Sequence, residues 1–149
     1  MSQHKIAYLF AVMVVSPSLF GQFTIKNGEV YVDYVHITFS REVVVPNDSS
    51  GICSIDDIKP EFSALRSYLR RVGPVILKQT FPGTRWGDTL RVNSAGAVVR
   101  VQNLARNFTI YFPKPMLERK VLRALRRFPE VRKVTAPVVT QPDTHTGAR

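Results

Sequence analysis

The stretch that decides the fold is Asn107–Val139, NFTIYFPKPMLERKVLRALRRFPEVRKVTAPVV. Phe108, Ile110 and Phe112 alternate with Thr109 and Tyr111, the period-two pattern of a strand with one buried face. Pro113 and Pro115 follow. A proline has no amide N–H for a ladder, so they mark the strand's end, and Pro115 suits the first turn of a helix. Over Met116–Phe128 the period becomes helical: Leu117, Val121, Ala124, Leu125 and Phe128 form one stripe, with Leu122 at its border. Arg119, Lys120, Arg123, Arg126 and Arg127 cover the opposite face. Pro129 breaks the helix, and Val131–Val139 predicts a last strand.

The same strand–helix–strand order is written once more upstream. Val30–Phe39 (VYVDYVHITF) is rich in β-branched and aromatic residues, with Val35, Ile37 and Phe39 inward and Tyr34, His36 and Thr38 outward. It is preceded by a hairpin signal, Asn27-Gly28 between two β-prone runs that starts at Phe23. A loop runs through Pro46–Gly51. Pro60–Val72 predicts a helix, because Phe62, Leu65, Leu69 and Val72 share a face and Gly73-Pro74 stops it. Val75–Phe81 is a short strand closed by Pro82-Gly83. Leu90–Val92 and Ala97–Val101 flank Asn93–Gly96 as a peripheral hairpin.

Without the hairpins the order is β-α-β-β-α-β. Right-handed crossovers put both helices on one face of a four-stranded antiparallel sheet, an α+β, ferredoxin-like sandwich. The expected core is Val35, Ile37, Phe39, Phe62, Leu65, Leu69, Phe108, Ile110, Leu117, Val121, Leu125 and Phe128. The other sheet face is left without a helical cover and carries Tyr34, His36, Thr38, Thr109 and Tyr111.

With 149 residues, 44% apolar and 21% charged, the chain has room for one globular domain and excludes disordered or collagenous classes. A whole protease or kinase does not fit beside the N-terminal segment. Charge is uneven. Residues 22–62 hold three basic and seven acidic residues, 63–112 eight and one, and 113–149 nine and three, within a net of +10. A bipolar surface with a basic excess favours anionic partners.

Met1–Lys5 ends in a cation, Ile6–Val15 is ten residues without charge, and Ser16-Pro17-Ser18 and Leu19-Phe20-Gly21 supply small residues for cleavage. That is the n-, h- and c-region of a signal peptide, too short to span a bilayer. Removal of residues 1–21 leaves 22–139 as the mature domain and 140–149 as a tail without periodicity, expected to be disordered. The expected location is secreted, extracellular or periplasmic. Cys53, the lone cysteine, falls in Ser49–Ser54 as an unpaired loop thiol. With no CxxC, HExxH, GxSxG, P-loop or GxGxxG motif, and with His4, His36 and His145 scattered, no catalytic residue, metal site or cofactor is expected.

Arg106–Pro113, then Glu118–Val131 with Phe128-Pro129-Glu130-Val131, then a β-run into Thr135-Ala136-Pro137, together resemble the N-terminal propeptide region of secreted bacterial subtilisin-like serine proteases. Gly28–Val32 with Ile37-Thr38-Phe39 is similar to that family's opening strand, and Val75–Pro82 to its second, so the resemblance covers roughly residues 28–139. The chain departs from the family where the last strand ends Val134-Thr-Ala-Pro-Val instead of in an Ala-Glu-Pro-like sequence. It also reaches Arg149 where Asp, His and Ser motifs of a catalytic domain would begin.

The resemblance implies a secreted, non-catalytic folding assistant and inhibitor of a subtilisin-like protease, in cis in an intact gene or in trans, or a truncated protease precursor. It implies that the sheet face packs on the protease while Thr135, Ala136, Pro137, Val138, Val139, Thr140 and Gln141 lie in its cleft as an added strand. No membrane contact is expected after signal cleavage. The alternative is a basic sheet-surface module for nucleic acid or another anionic partner. That is disfavoured, since the cations lie on the helices and Asn107–Phe112 lacks the glycines of an RNA-recognition motif.

Overall fold

The computed structural model describes residues 23–137. The signal peptide expected over 1–21 and the tail expected over 140–149 lie outside the described residues. In chain order the elements are β1 (Phe23–Lys26), β2 (Glu29–Phe39), β3 (Ile52–Cys53), α1 (Ser63–Val72), β4 (Ile76–Gln79), β5 (Leu90–Val92), β6 (Val98–Arg100), β7 (Asn107–Leu117), α2 (Glu118–Leu125) and β8 (Val131–Thr135). They make an α+β protein: an antiparallel six-stranded sheet, a separate β5–β6 hairpin and two helices.

The hairpin signal at Asn27-Gly28 is realised. Both residues take positive φ, 53° and 74°, the backbone that a tight two-residue turn between twisted strands requires. β2 then pairs along one edge with β7, through Val35↔Ile110 and Ile37↔Phe108. Its other edge is shared end to end, by β1 along Glu29–Val32 and by β8 along His36–Phe39. β4 pairs the far side of β7, through Leu77↔Ile110, and β3 closes the sheet with Cys53↔Leu77. The expected four strands therefore gain β1 and β3.

Strand alternation sends Val35, Ile37, Phe39, Leu77, Phe108, Ile110 and Val134 to one side, where Leu65 and Leu69 of α1 and Val121 and Leu125 of α2 meet them in a single buried cluster. Phe62 and Phe128 pack against its margin, half-buried, and so does Leu122. Tyr68 and Phe128 join the helical layer with ring centroids 5.7 Å apart.

Several boundaries differ from the sequence pattern, α1 among them, which begins at Ser63 after a 3-10 turn over Pro60–Phe62. α2 begins at Glu118, not Met116, because Met116 and Leu117 pair with Val32 and Tyr31 as the end of β7. The two prolines do not end that strand: the β2–β7 register shifts between Val32 and Tyr34, so Pro113 and Pro115 fall in an irregularity that demands no ladder N–H. At its other end α2 stops at Leu125, and Arg126–Phe128 continue as turns.

β8 ends at Thr135, short of the expected Val139, and 138–139 lie outside the described residues. Cys53 is a further correction. It is not a loop thiol but a buried strand residue, because pairing with Leu77 carries it into the core.

Candidate functional site

The sheet face away from the helices is built in crosswise rows by the strand register. One row runs Tyr34, Tyr111, Ile76. The next runs Thr135, His36, Thr109, Lys78, Ile52, spanning β8, β2, β7, β4 and β3. A third holds Lys133, Thr38 and Asn107. At the usual strand spacing of just under 5 Å, the five-residue row is about 19 Å across.

All five residues expected on this face, Tyr34, His36, Thr38, Thr109 and Tyr111, are brought together. Sequence alternation alone does not single out Ile52 and Ile76, which stay more than half exposed beside them. They come to the face only through the pairing of β3 and β4, long-range contacts that local periodicity does not carry.

Polar groups on the face are held in place. His36 Nδ1 and Thr109 Oγ1 share a hydrogen bond of 3.1 Å, the ring tautomer setting which donates. Thr38 Oγ1 donates to Asn107 Oδ1 at 2.9 Å. The Tyr34 ring meets His36 edge-on at 5.3 Å and Tyr111 tilted at 5.5 Å. Burial, then the neighbouring Tyr111, pushes the Tyr34 hydroxyl above its ordinary pKa, so it remains a neutral donor. The arrangement is a firm, mixed apolar and hydroxyl surface with two lysines on it, suited to packing and hydrogen bonding.

The tail residues divide. Thr135 is a β8 residue paired with His36, Ala136 packs half-buried against the core, and Pro137 is buried. These three are therefore held by the domain itself. Val138, Val139, Thr140 and Gln141 are outside the described residues.

A second feature has no counterpart in the sequence patterns. A cleft of about 530 Å³ opens between the 42–49 loop and the 83–86 loop, with Gln79 and Ala105 in its wall. Gln79 is 1% exposed and its Nε2 donates to the carbonyl and hydroxyl oxygens of Thr84 at 2.9 and 3.2 Å. Gly51 makes room for it. At φ 69°, a Cβ there would stand 2.9 Å from Gln79 Cβ. Trp86, also in the wall, carries the Arg106 guanidinium 5.4 Å from its ring centroid. The loops read as turn-rich connections, so the signal was only their length.

Among the described residues no group of three or more His, Cys, Asp or Glu could hold a metal ion, and no helix is long and apolar enough to cross a membrane. Neither protein-family models, nor curated proteins, nor solved structures give a match to this chain.

Proposed function

We propose that the chain is an exported, non-catalytic docking domain of the subtilisin-propeptide type, which assists folding of a subtilisin-like serine protease and inhibits it, in cis or in trans. The observation that carries this reading is the uncovered sheet face. Its exposed Tyr111, Ile76 and Ile52 surround hydrogen-bonded His36–Thr109 and Thr38–Asn107 pairs. Exposed apolar side chains beside satisfied polar groups are what a protein partner covers well. The core proposed beneath it is ferredoxin-like. In support, the strands pair in the order β8-β2-β7-β4, and both helices contribute to one core on the opposite side.

The competing reading, nucleic-acid binding on the same face, draws on the net charge of +10. It is less well supported here. Stacking needs open π faces, whereas Tyr34, His36 and Tyr111 turn edges and tilted faces toward one another. The cations of α2 are on the helical side of the molecule.

The test is inhibition and refolding of a subtilisin-type protease by residues 22–149, with Ile76→Asp and Tyr111→Asp as face variants. Micromolar inhibition or accelerated refolding is expected, weakened about tenfold or more by either variant, as for the centre of a packed interface. Circular dichroism should stay unchanged, because both side chains are outside the core. No inhibition and no effect on refolding by the parent domain would overturn the reading.

A further inference from the structure

The β5–β6 hairpin stands apart from the six-stranded sheet, and every residue from Leu90 to Arg100 is exposed. Leu90, Val92 and Val98 are 63%, 69% and 68% exposed. The register puts these three on one side of the ribbon. Leu90 lies opposite Arg100 and Val92 opposite Val98, while Arg91 and Val99 face the other way. Two strands alone are marginal in water, and no described residue buries these side chains.

The end of the hairpin is built to leave water. Four amides of its turn are satisfied inside it. Asn93 N–H donates to the Ala97 carbonyl at 2.9 Å and Gly96 N–H to the Asn93 carbonyl at 3.0 Å. Asn93 Oδ1 accepts from the amides of Ala95 and Ala97 at 3.0 and 2.9 Å. A backbone donor that already has its partner loses little when water is withdrawn. Val92 and Val98 form the rung next to this turn. The cations sit behind them, Arg91 by one rung, about 3.4 Å, and Arg100 by two, about 7 Å. No Asp or Glu occurs between Asp88 and Glu118, so no acid of this segment offsets them.

We propose that the tip of the β5–β6 hairpin docks on an anionic phospholipid surface. Apolar side chains at the tip enter the boundary of headgroups and acyl chains, about 5–10 Å deep. That depth leaves the two guanidinium groups level with the lipid phosphates, which accept from the arginine fork in pairs. The placement of charge favours a bilayer over a protein groove. Arg100 shares the valine side of the ribbon and Arg91 has the opposite side, and a plane of phosphates meets both at once. The hairpin is separate from the uncovered sheet face. The proposal departs from the sequence-based expectation of no membrane contact and does not rest on the protease reading.

Residues 22–149 would be sedimented with sucrose-loaded vesicles of phosphatidylcholine, alone or with about one-third phosphatidylglycerol. Binding to the anionic vesicles is expected to be at least about tenfold stronger than to phosphatidylcholine. Val92→Ser with Val98→Ser changes no charge and should weaken it about tenfold. Arg91→Gln with Arg100→Gln should weaken it about as much. Arg119→Gln, Arg123→Gln and Arg126→Gln together remove more charge, but from the helical side, and should weaken it about threefold at most. All seven positions are exposed, so the variants should fold, and circular dichroism checks that they do. Equal binding to both vesicles, or no binding, would overturn the proposal. So would a large loss with the helical triple variant while the valine pair binds like the parent. Association of the domain without vesicles, abolished by the valine pair, would assign the tip to a second copy and overturn it equally.

Discussion

Cys53 shows how far a residue's environment can depart from its neighbours in sequence. Pairing with Leu77 buries its thiol, which is pushed up to about 11 by burial first and then by the charges of Asp57 and Asp48. Its folded value lies above the ordinary thiol value of about 8.5. The neutral thiol's contribution to stability is therefore fully present below about pH 8.5 and is lost as pH rises toward 11. Two outcomes follow. At pH 8 a disulfide reagent should modify the folded protein about a hundredfold more slowly than the denatured chain, since the thiolate is the reacting form. In denaturant titrations, the stability advantage of the parent over Cys53→Ala should shrink between pH 8 and pH 10.5. An equal reaction rate folded and unfolded would place the thiol at the surface. Nothing in Ser49-Ser50-Gly51-Ile52-Cys53-Ser54 announces this burial, because the partner strand lies more than twenty residues away and the local composition is that of a turn.

At the scale of elements, the two period changes carry most of what is legible. The alternation in Val30–Phe39 and Asn107–Phe112 gives the right inward set, since Val35, Ile37, Phe39, Phe108, Ile110 and Phe112 are all buried, although Thr109 of the outward set is itself only 7% exposed. The helical stripe of α2 is equally legible. Val121 and Leu125 are both fully buried, while Arg119, Lys120 and Arg123 stay exposed. Leu125→Ala should therefore cost about 2–5 kcal/mol in unfolding free energy, the range for truncating a buried leucine. A loss under half a kcal/mol in chemical denaturation would mean that this face does not pack on the sheet. Element ends are less legible. Pro113 and Pro115 carry a strong stop signal that tertiary pairing overrides, since Met116 and Leu117 find β partners in Val32 and Tyr31 across a register shift. Leu117 accordingly ends a strand and is half-buried instead of sitting on the helix stripe. The cleft was not legible because its walls, the 42–49 and 83–86 loops with Gln79 and Ala105, come from segments that only the fold brings together.

For the molecule as a whole, the decisive feature is that its two sides have different characters. One side is a helical layer on which Arg119, Lys120, Arg123, Arg126 and Arg127 are exposed, and among the described residues only Arg119 of these makes an ion pair, with Glu29. The other is the uncovered sheet face. The chain also approaches and leaves the sheet at one place. Phe23 stands opposite Val32 and Thr135 opposite His36, four positions apart on the same edge of β2, about 13 Å. Thr135 thus stands at the margin of the uncovered face. This separates two accounts of the basic charge. Deleting residues 138–149 leaves β8, Ala136 and the buried Pro137 in place, so the core should keep its stability while the segment able to pair along a protease cleft is removed. Replacing Arg119, Arg123 and Arg126 by Gln removes three positive charges and touches neither the face nor the tail. If the domain is an inhibitor, the deletion should raise its inhibition constant sharply, about tenfold or more, because main-chain pairing in the cleft is lost. The triple substitution should change it only modestly, since exposed charges far from a contact are screened at physiological salt. A nucleic-acid module forecasts the reverse: the triple substitution would weaken binding and flatten its salt dependence, because fewer counterions are released. Assaying both variants against a subtilisin-type protease and against single-stranded RNA distinguishes the two, and inhibition that survives the deletion intact would remove the tail from the mechanism.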